Sequence, residues 1–355
     1  MKDRILKIQN GLKSDEALLI LSDANRFYFT GFSSSAGNVI ITKQNSVFLI
    51  DFRYFEKAKS QVCSSKVVLL DNFNRQIAEI FKEENIKTLY LETQTTSIGK
   101  SEALKKAFPQ VNVSTDDKFD NIITDLRAVK TADELQNIRL AQQLTDKTFT
   151  YILNNIKAGR TEREIMLDME FYMRSLGSEG VSFDFIVVSG KNSSLPHGVP
   201  TDKAVAHGDF ITMDFGAVVN GYRSDMTRTV ALGCVTDEQA TVYNTVLNAQ
   251  TSALKAIKSG EKCSDIDKIA RDIIYTAGYK GCFGHALGHS VGIEIHESPA
   301  LSPGCADILK TGTVMTVEPG IYIENKFGVR IEDMVFIEDN GCENITKSEK
   351  KLIVV

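Results

Sequence analysis

The chain has 355 residues, 43% hydrophobic and 25% charged, with 41 basic against 46 acidic side chains and a net charge of −5. That length allows two domains or one unusually large one, with ample core in either case. The acidic balance and the lack of a basic stripe argue against a nucleic-acid partner or an anionic membrane surface.

The opening stretch, MKDRILKIQNGLKSDEALL, is too charged for a signal peptide's apolar segment, and no apolar run approaches membrane-spanning length. Six cysteines (63, 234, 263, 282, 305, 342) are scattered without a CxxC pair, which fits small core residues in a reducing, cytoplasmic setting.

In the first third, ALLIL (17–21), NVIIT (38–42), SVFLID (46–51), KVVLLD (66–71) and KTLYLE (87–92) read as strands. FNRQIAEIFKEEN (73–85) and GKSEALKKAF (99–108) carry apolar residues at helical spacing between them. Strands alternating with helices predict an α/β layer domain. It contains no histidine and no carboxylate cluster, and its end is placed near Arg127, giving domains 1–128 and 129–355.

Thr131-Ala-Asp-Glu134 and Thr161-Glu-Arg-Glu164 are capping boxes, predicting helices to about Ile156 and Leu176. The apolar runs FDFIVVSG (183–190) and FITMDFGAVV (210–219) follow. An internal repeat then emerges. IKAG (156–159) recurs as IKSG (257–260), MDFGA (213–217) resembles VEPGI (317–321), and SDM (224–226) echoes EDM (332–334). Two similar halves predict a pseudo-twofold domain with a join between them.

In DFGAVVNGYRSD, Asn220-Gly221 predicts a type I′ hairpin. Val219 then faces Tyr222, Gly216 faces Asp225, and Asp214 and Asp225 share one strand face as diagonal neighbours. Glu318 and Glu332 flank a longer hairpin, EPGIYIENKFGVRIE, in the second half. Four carboxylates converging in a core require compensation. Oxygen donors plus one histidine suit two divalent ions, of the Mn, Fe, Co or Zn type.

Three of the five histidines lie in HALGHSVGIEIHE (285–297). The His285/His289 spacing matches a zinc-protease helix, but Ala286 stands where that motif needs Glu, and Gly284, Gly288 and Gly292 oppose a helix. The alternation after Gly292 is strand-like.

HALGHSVGIEIHE, DFGAVVNGYRSDMTRT, VEPGIYI, VRIEDM and SLPHG (194–198) together resemble the pita-bread metallopeptidases, in their aminopeptidase P and prolidase branch. The preceding domain resembles the creatinase-type N-terminal domain. The resemblance implies an α/β domain followed by an α+β pita-bread domain with two divalent metals, manganese first among them. Asp214 would chelate one ion, Asp225 and Glu332 would bridge, and His289 and Glu318 would bind the other. His197 and His296 would handle substrate and the tetrahedral intermediate. His285 would be a further pocket histidine, and Glu318 the proton acceptor. Arg330 lies two residues before Glu332 and is read as support for the carboxylates at the substrate pocket. His207 is given no role.

The implied reaction is cleavage between an N-terminal residue and a following proline, by a homodimer associating through the N-terminal domains. Dipeptidase-type members are expected to carry a basic residue shortly after the HE motif, to hold the substrate's C-terminal carboxylate. Here HESPALSPG has Ala300 and no Arg or Lys before Lys310. The reading therefore leans to an Xaa-Pro aminopeptidase, with Xaa-Pro dipeptidase as the alternative. A non-catalytic binding module on the same fold is disfavoured by the complete ligand set.

Overall fold

The computed structural model describes all 355 residues. The chain forms two compact units that divide between Leu126 and Arg127. No helix is long and apolar enough to cross a membrane.

The first unit contains six strands: β1 (Glu16–Ile20), β2 (Asn38–Thr42), β3 (Ser46–Ile50), β4 (Lys66–Leu69), β5 (Thr88–Leu91) and β6 (Asn112–Ser114). They form one sheet in the order β4-β3-β2-β1-β5-β6. The β1–β2 and β2–β3 pairs are antiparallel and the other three parallel. Every residue of central β1 is buried, as a continuous apolar run demands of a strand covered on both faces. Its helices are α1 (Lys2–Gly11), α2 (Asp23–Thr30), α3 (Phe52–Gln61), α4 (Phe73–Glu83), α5 (Ile98–Ala107) and α6 (Lys118–Ala128). In α4, Ile77 and Phe81 bury the single apolar stripe that the spacing predicts. The strands and helices predicted here are present. The sequence reading did not mark α1, α2, α3, α6 and β6.

The second unit repeats one plan. Its first half starts with α7 (Ala132–Leu153) and α8 (Glu162–Ser175), which pack together. Both begin at the predicted capping boxes, each with the two reciprocal hydrogen bonds formed. Then come β7 (Ile186–Ser189), a 3-10 turn (Gly190–Ser194), β8 (Phe210–Phe215), β9 (Val218–Val219), β10 (Tyr222–Arg223) and β11 (Met226–Ala231). The second half pairs α9 (Asp237–Ala256) with α10 (Cys263–Thr276). It continues with β12 (Gly288–Ser290), β13 (Glu297–Leu301), β14 (Val314–Val317), β15 (Gly320–Ile323), β16 (Phe327–Arg330), β17 (Asp333–Glu338) and β18 (Gly341–Asn344). The main sheets run β11-β8-β7 and β13-β12-β14-β17-β18. Each half has its own apolar core. One is built around Ile165, Met169, Met213 and Phe215, and the other around Val246, Ile266, Val317 and Val335. Burying each such side chain stabilises the fold by about 1.5–3 kcal/mol.

Candidate metal centre

Two hairpins carry the four acids. In the first, Asn220 (φ 49°) and Gly221 (φ 75°) make the turn, and Val219 pairs with Tyr222 as predicted. The same register continues into β8 and β11, where Asp214 faces Thr227 and Phe215 faces Met226. Asp225 therefore stands opposite Gly216, diagonal to Asp214 on one face. A side chain at position 216 would meet the Ser224 carbonyl at 1.9 Å, so the close strand approach that sets this diagonal requires glycine.

In the second hairpin Val317 pairs with Asp333 and Gly320 with Arg330. That register puts Glu318 directly opposite Glu332. The predicted match of SDM with EDM is therefore offset. By strand pairing Asp225 corresponds to Arg330, Thr227 to Glu332 and Arg228 to Asp333, because the second turn is one residue longer. Corresponding residues meet across the join. Thr227 Oγ1 donates to Glu332 Oε2 at 2.7 Å, Glu332 N donates to the Thr227 carbonyl at 3.1 Å, and Arg228 pairs with Asp333 at 2.7 Å. A local twofold axis requires contacts of this kind.

The histidine comes from β12, a strand and not a helix. Asp225, His289 and Glu332 offer ligand atoms within 4.8 Å of one another. His289 Nε2 lies 3.6 Å from Asp225 Oδ2 and 3.4 Å from Glu318 Oε1. Donors surrounding a cation at about 2.0–2.2 Å are separated by roughly 3–4 Å, so these gaps match a shared ion. The imidazole is also correctly prepared. Its Nδ1 donates to the Ser290 carbonyl at 3.1 Å. Burial and the neighbouring His296 lower its pKa to about 4. The ring is thus neutral at pH 7, with the Nε2 lone pair turned to the acids.

Electrostatics point the same way. Burial, then Glu332, Asp214 and Glu318, push the Asp225 carboxyl well above the usual carboxylate range. Burial, then Glu318 and Asp214, do the same to Glu332. Burial raises Glu318 to about 8, with Arg330 opposing and Asp214 adding to the shift. Two buried oxygens, Asp214 Oδ1 and Glu332 Oε1, have no hydrogen-bond partner. Orphaned acceptors on crowded acids are costly without a cation. A set of four carboxylates and one neutral imidazole therefore fits divalent cations.

The surrounding groups fix the donors. Arg330 is buried, and its guanidinium donates to Asp214 Oδ2 (2.6 Å), Thr227 Oγ1 (3.0 Å), Tyr322 Oη (2.7 Å) and the Pro196 carbonyl (3.2 Å). The bond to Asp214 holds that carboxylate in place. His285 Nδ1 donates to the Ala286 carbonyl at 2.8 Å, and Nε2 meets Tyr322 Oη at 2.9 Å. Burial, helped by Arg330, lowers the His285 pKa to about 4. The neutral ring accepts, so the hydrogen bonds run from Arg330 through Tyr322 to His285. His285 stands outside the donor group. Thr316 Oγ1 donates to Glu318 Oε1 at 3.2 Å and accepts from His289 N at 3.0 Å. His197 is exposed beside Pro196, close enough for its charge to act on His285. His296 is exposed, with its ring 4.4 Å from that of His289.

Tyr322, Thr227 and Thr316 escape the sequence reading. Their signal was parity: Thr227 and Thr316 each lie two positions from a residue already singled out, and Tyr322 lies diagonal to Arg330 across β15–β16. Glu297 was seen only as part of the HE motif. Its side chain is buried, pairs with Lys130 (2.9 Å) and Arg127 (2.5 Å), and accepts from Ile293 N and Glu294 N. It therefore holds the segment that leads into His296.

The family model for metallopeptidase family M24 matches residues 136–339, and that for the creatinase/prolidase N-terminal domain matches 4–129. A Xaa-Pro dipeptidase of Pyrococcus furiosus is 39% identical, over 99% of this chain and the whole of that protein. The structure of a Xaa-Pro dipeptidase from Bacillus anthracis is similar at a TM-score of 0.95, with 38% identity and 99% of both chains covered. The structure of an X-Pro aminopeptidase from Thermotoga maritima is similar at 0.90, with 36% identity, covering 98% of this chain and all of that one.

Proposed function

The chain belongs to metallopeptidase family M24, and on that premise we propose that it is a two-cation Xaa-Pro dipeptidase, cleaving the bond between an N-terminal residue and proline. One observation carries the reading. Asp225, His289 and Glu332 offer ligand atoms within 4.8 Å of one another, Glu318 lies 3.4 Å from His289, the charge of Asp214 acts on Asp225, and two buried carboxylate oxygens, Asp214 Oδ1 and Glu332 Oε1, are left without partners.

Asp214 and Asp225 would hold one ion, His289 and Glu318 the other, with Asp225 and Glu332 shared. When bound, such ions lower the pKa of water and draw electron density from a carbonyl; manganese, cobalt, iron and zinc all suit the donors. Glu318 would take up a proton at Oε1, which lies 3.4 Å from His289 Nε2. His296, exposed next to His289, donates to the oxygen on which negative charge develops. His197 and His285 line the substrate side, with Arg330 and Tyr322 fixing His285 and Asp214.

The sequence reading leans to an aminopeptidase because of Ala300. The similarity to Xaa-Pro dipeptidases across nearly the whole chain supports the dipeptidase better. The aminopeptidase remains as a second reading, favoured by Ala300 and by the likeness to an X-Pro aminopeptidase structure. Association as a homodimer belongs to the same proposal and is checked by light scattering. Metal-stripped protein reloaded with each of the four ions should cleave Xaa-Pro and Xaa-Pro-Yaa peptides, with dipeptides preferred. Fully loaded protein that leaves every such peptide intact overturns the proposal.

A further inference from the structure

A dipeptidase must recognise a free carboxylate one residue beyond the attacked carbonyl, yet Ala300, paired with His289 across β12–β13, offers no charge. The cations around the site are otherwise matched with acids. Arg330 pairs with Asp214, Lys130 and Arg127 with Glu297, Arg271 with Asp267, and Arg228 with Asp333. Arg223 is the exception. It is half-buried and forms no ion pair.

Its position is fixed by the chain. Arg223 N donates to the Gly292 carbonyl at 2.9 Å, Nε donates to the Ile293 carbonyl at 2.9 Å, and Nη1 donates to the Ser182 carbonyl. The guanidinium is thereby clamped beside the segment that leads from His289 to His296. Nη2, with two N–H groups, donates to nothing in the chain. Arg223 shares a strand face with Asp225 two residues on, a step of about 6.6 Å. A half-buried cation without an ion-pair partner is a site for an anion.

We propose that Arg223 binds the C-terminal carboxylate of the dipeptide substrate, taking the role that a basic residue after the HE motif would otherwise fill. This rests on the Xaa-Pro peptidase reading and makes it specific: the substrate class is a dipeptide with a free α-carboxylate.

The test uses the metal-loaded full chain with three substrates: an Xaa-Pro dipeptide, the corresponding Xaa-Pro amide, and an Xaa-Pro-Yaa tripeptide. Wild type should favour the dipeptide over the amide by about tenfold to a hundredfold in kcat/KM, chiefly through KM, the range for a hydrogen bond to a charged group. In Arg223→Met that ratio should fall to near one, whereas Arg223→Lys should keep part of it. An Arg223→Met enzyme that keeps the full ratio overturns the assignment. If that variant fails to fold, inhibition by free proline against prolinamide is read in wild type and Arg223→Lys. Proline should be the stronger inhibitor of wild type, by a margin that narrows in the lysine variant; equal inhibition of wild type overturns the assignment. An active wild type that treats dipeptide and amide alike removes the role of Arg223 alone. Inactivity on all three substrates removes the peptidase reading itself.

Discussion

The two halves of the catalytic unit share helix pair, strand and hairpin, yet place different chemistry on matching positions. On the outgoing strands the acids correspond, Asp214 with Glu318. On the return strands they do not: Asp225 corresponds to Arg330, and Thr227 to Glu332. The second acid has moved by two residues, which keeps it on the same face, where a shift of one would have turned it away. The vacated place holds Arg330, whose guanidinium neutralises Asp214. The place opposite Asp214 holds Thr227, whose hydroxyl donates to Glu332. The repeat supplies the frame, and its departures turn four repelling acids into a supported donor set.

Removing an acid from either half breaks this arrangement most severely. Asp225→Asn and Glu332→Gln should each lower bound metal and cut kcat/KM by about a thousandfold, roughly 4 kcal/mol in the barrier. Metal analysis beside kinetics checks this, and an effect confined to one half would show that the other is not a ligand partner. Arg330→Met should come next. It leaves Asp214 buried without its ion pair, at a cost of about 3–5 kcal/mol to the metal-free protein. Metal affinity should weaken by about 10–100-fold. Denaturant unfolding with and without metal separates the two effects.

Glu332 and Asp333 are neighbours that face opposite ways and titrate oppositely. Although burial works against it, Arg228 and Lys350 pull Asp333 down to about 2. Its stabilising contribution is complete above the ordinary value of 3.8 and is lost only as pH falls through about 2. Glu318 behaves in reverse, with a folded value of about 8 against an ordinary 4.5. Between those values the unfolded chain loses a proton that the folded, metal-free chain keeps. Stability should therefore fall by about 1.4 kcal/mol per pH unit for each such group as pH rises. Melting of chelator-treated protein should show that slope, and metal-loaded protein should not. Metal uptake at pH 7 should release protons, measurable by calorimetry in buffers of different ionisation enthalpy.

A smaller effect tests the link from Arg330 to His285. Tyr322→Phe removes one hydroxyl between them, worth about 1 kcal/mol, or roughly fivefold in kcat/KM. Metal content should stay constant, because Tyr322 touches no free donor oxygen. Lost metal would instead place Tyr322 among the supports of Asp214.

The carboxylate geometry of the first half was legible because Asn-Gly fixes a two-residue turn, and parity does the rest. The second half was less legible. By strand pairing SDM (224–226) corresponds to VRI (329–331), and EDM lies three residues further on, so matching SDM to EDM brought the wrong residues together. Thr227, Thr316 and Tyr322 were silent for a related reason: their roles depend on strand pairs and on contacts across the join, which no local pattern encodes. In the first unit, α2 carries NRFYFT, whose aromatic residues suggest strand as readily as helix, while Ser22 caps it from outside the apolar pattern. Helix α9 has its own capping box, Thr236 with Gln239, which marks a helix that apolar spacing alone does not. Arg223 sat in plain view within GYRSD. Only its lack of an acidic partner gives it meaning, and that is a property of the folded chain.

The two turns offer the mildest contrast. Asn220 and Asn325 both adopt left-handed backbone, at φ 49° and 58°. Asn220 also donates through Nδ2 to Asn137 at 2.9 Å, while its own and Gly221's backbone N–H bind the Glu179 carboxylate. Asn220→Ala should cost about 1–2 kcal/mol, from strain and the lost side-chain bond. Asn325→Ala, with no such side-chain bond, should cost less. Neither should change kcat/KM more than about twofold. Phe215 and Met226, both 0% exposed, lock the register between the turn and the acids. A large activity loss in Asn220→Ala would show instead that the turn, and not the buried strand pair, sets the distance between Asp214 and Asp225.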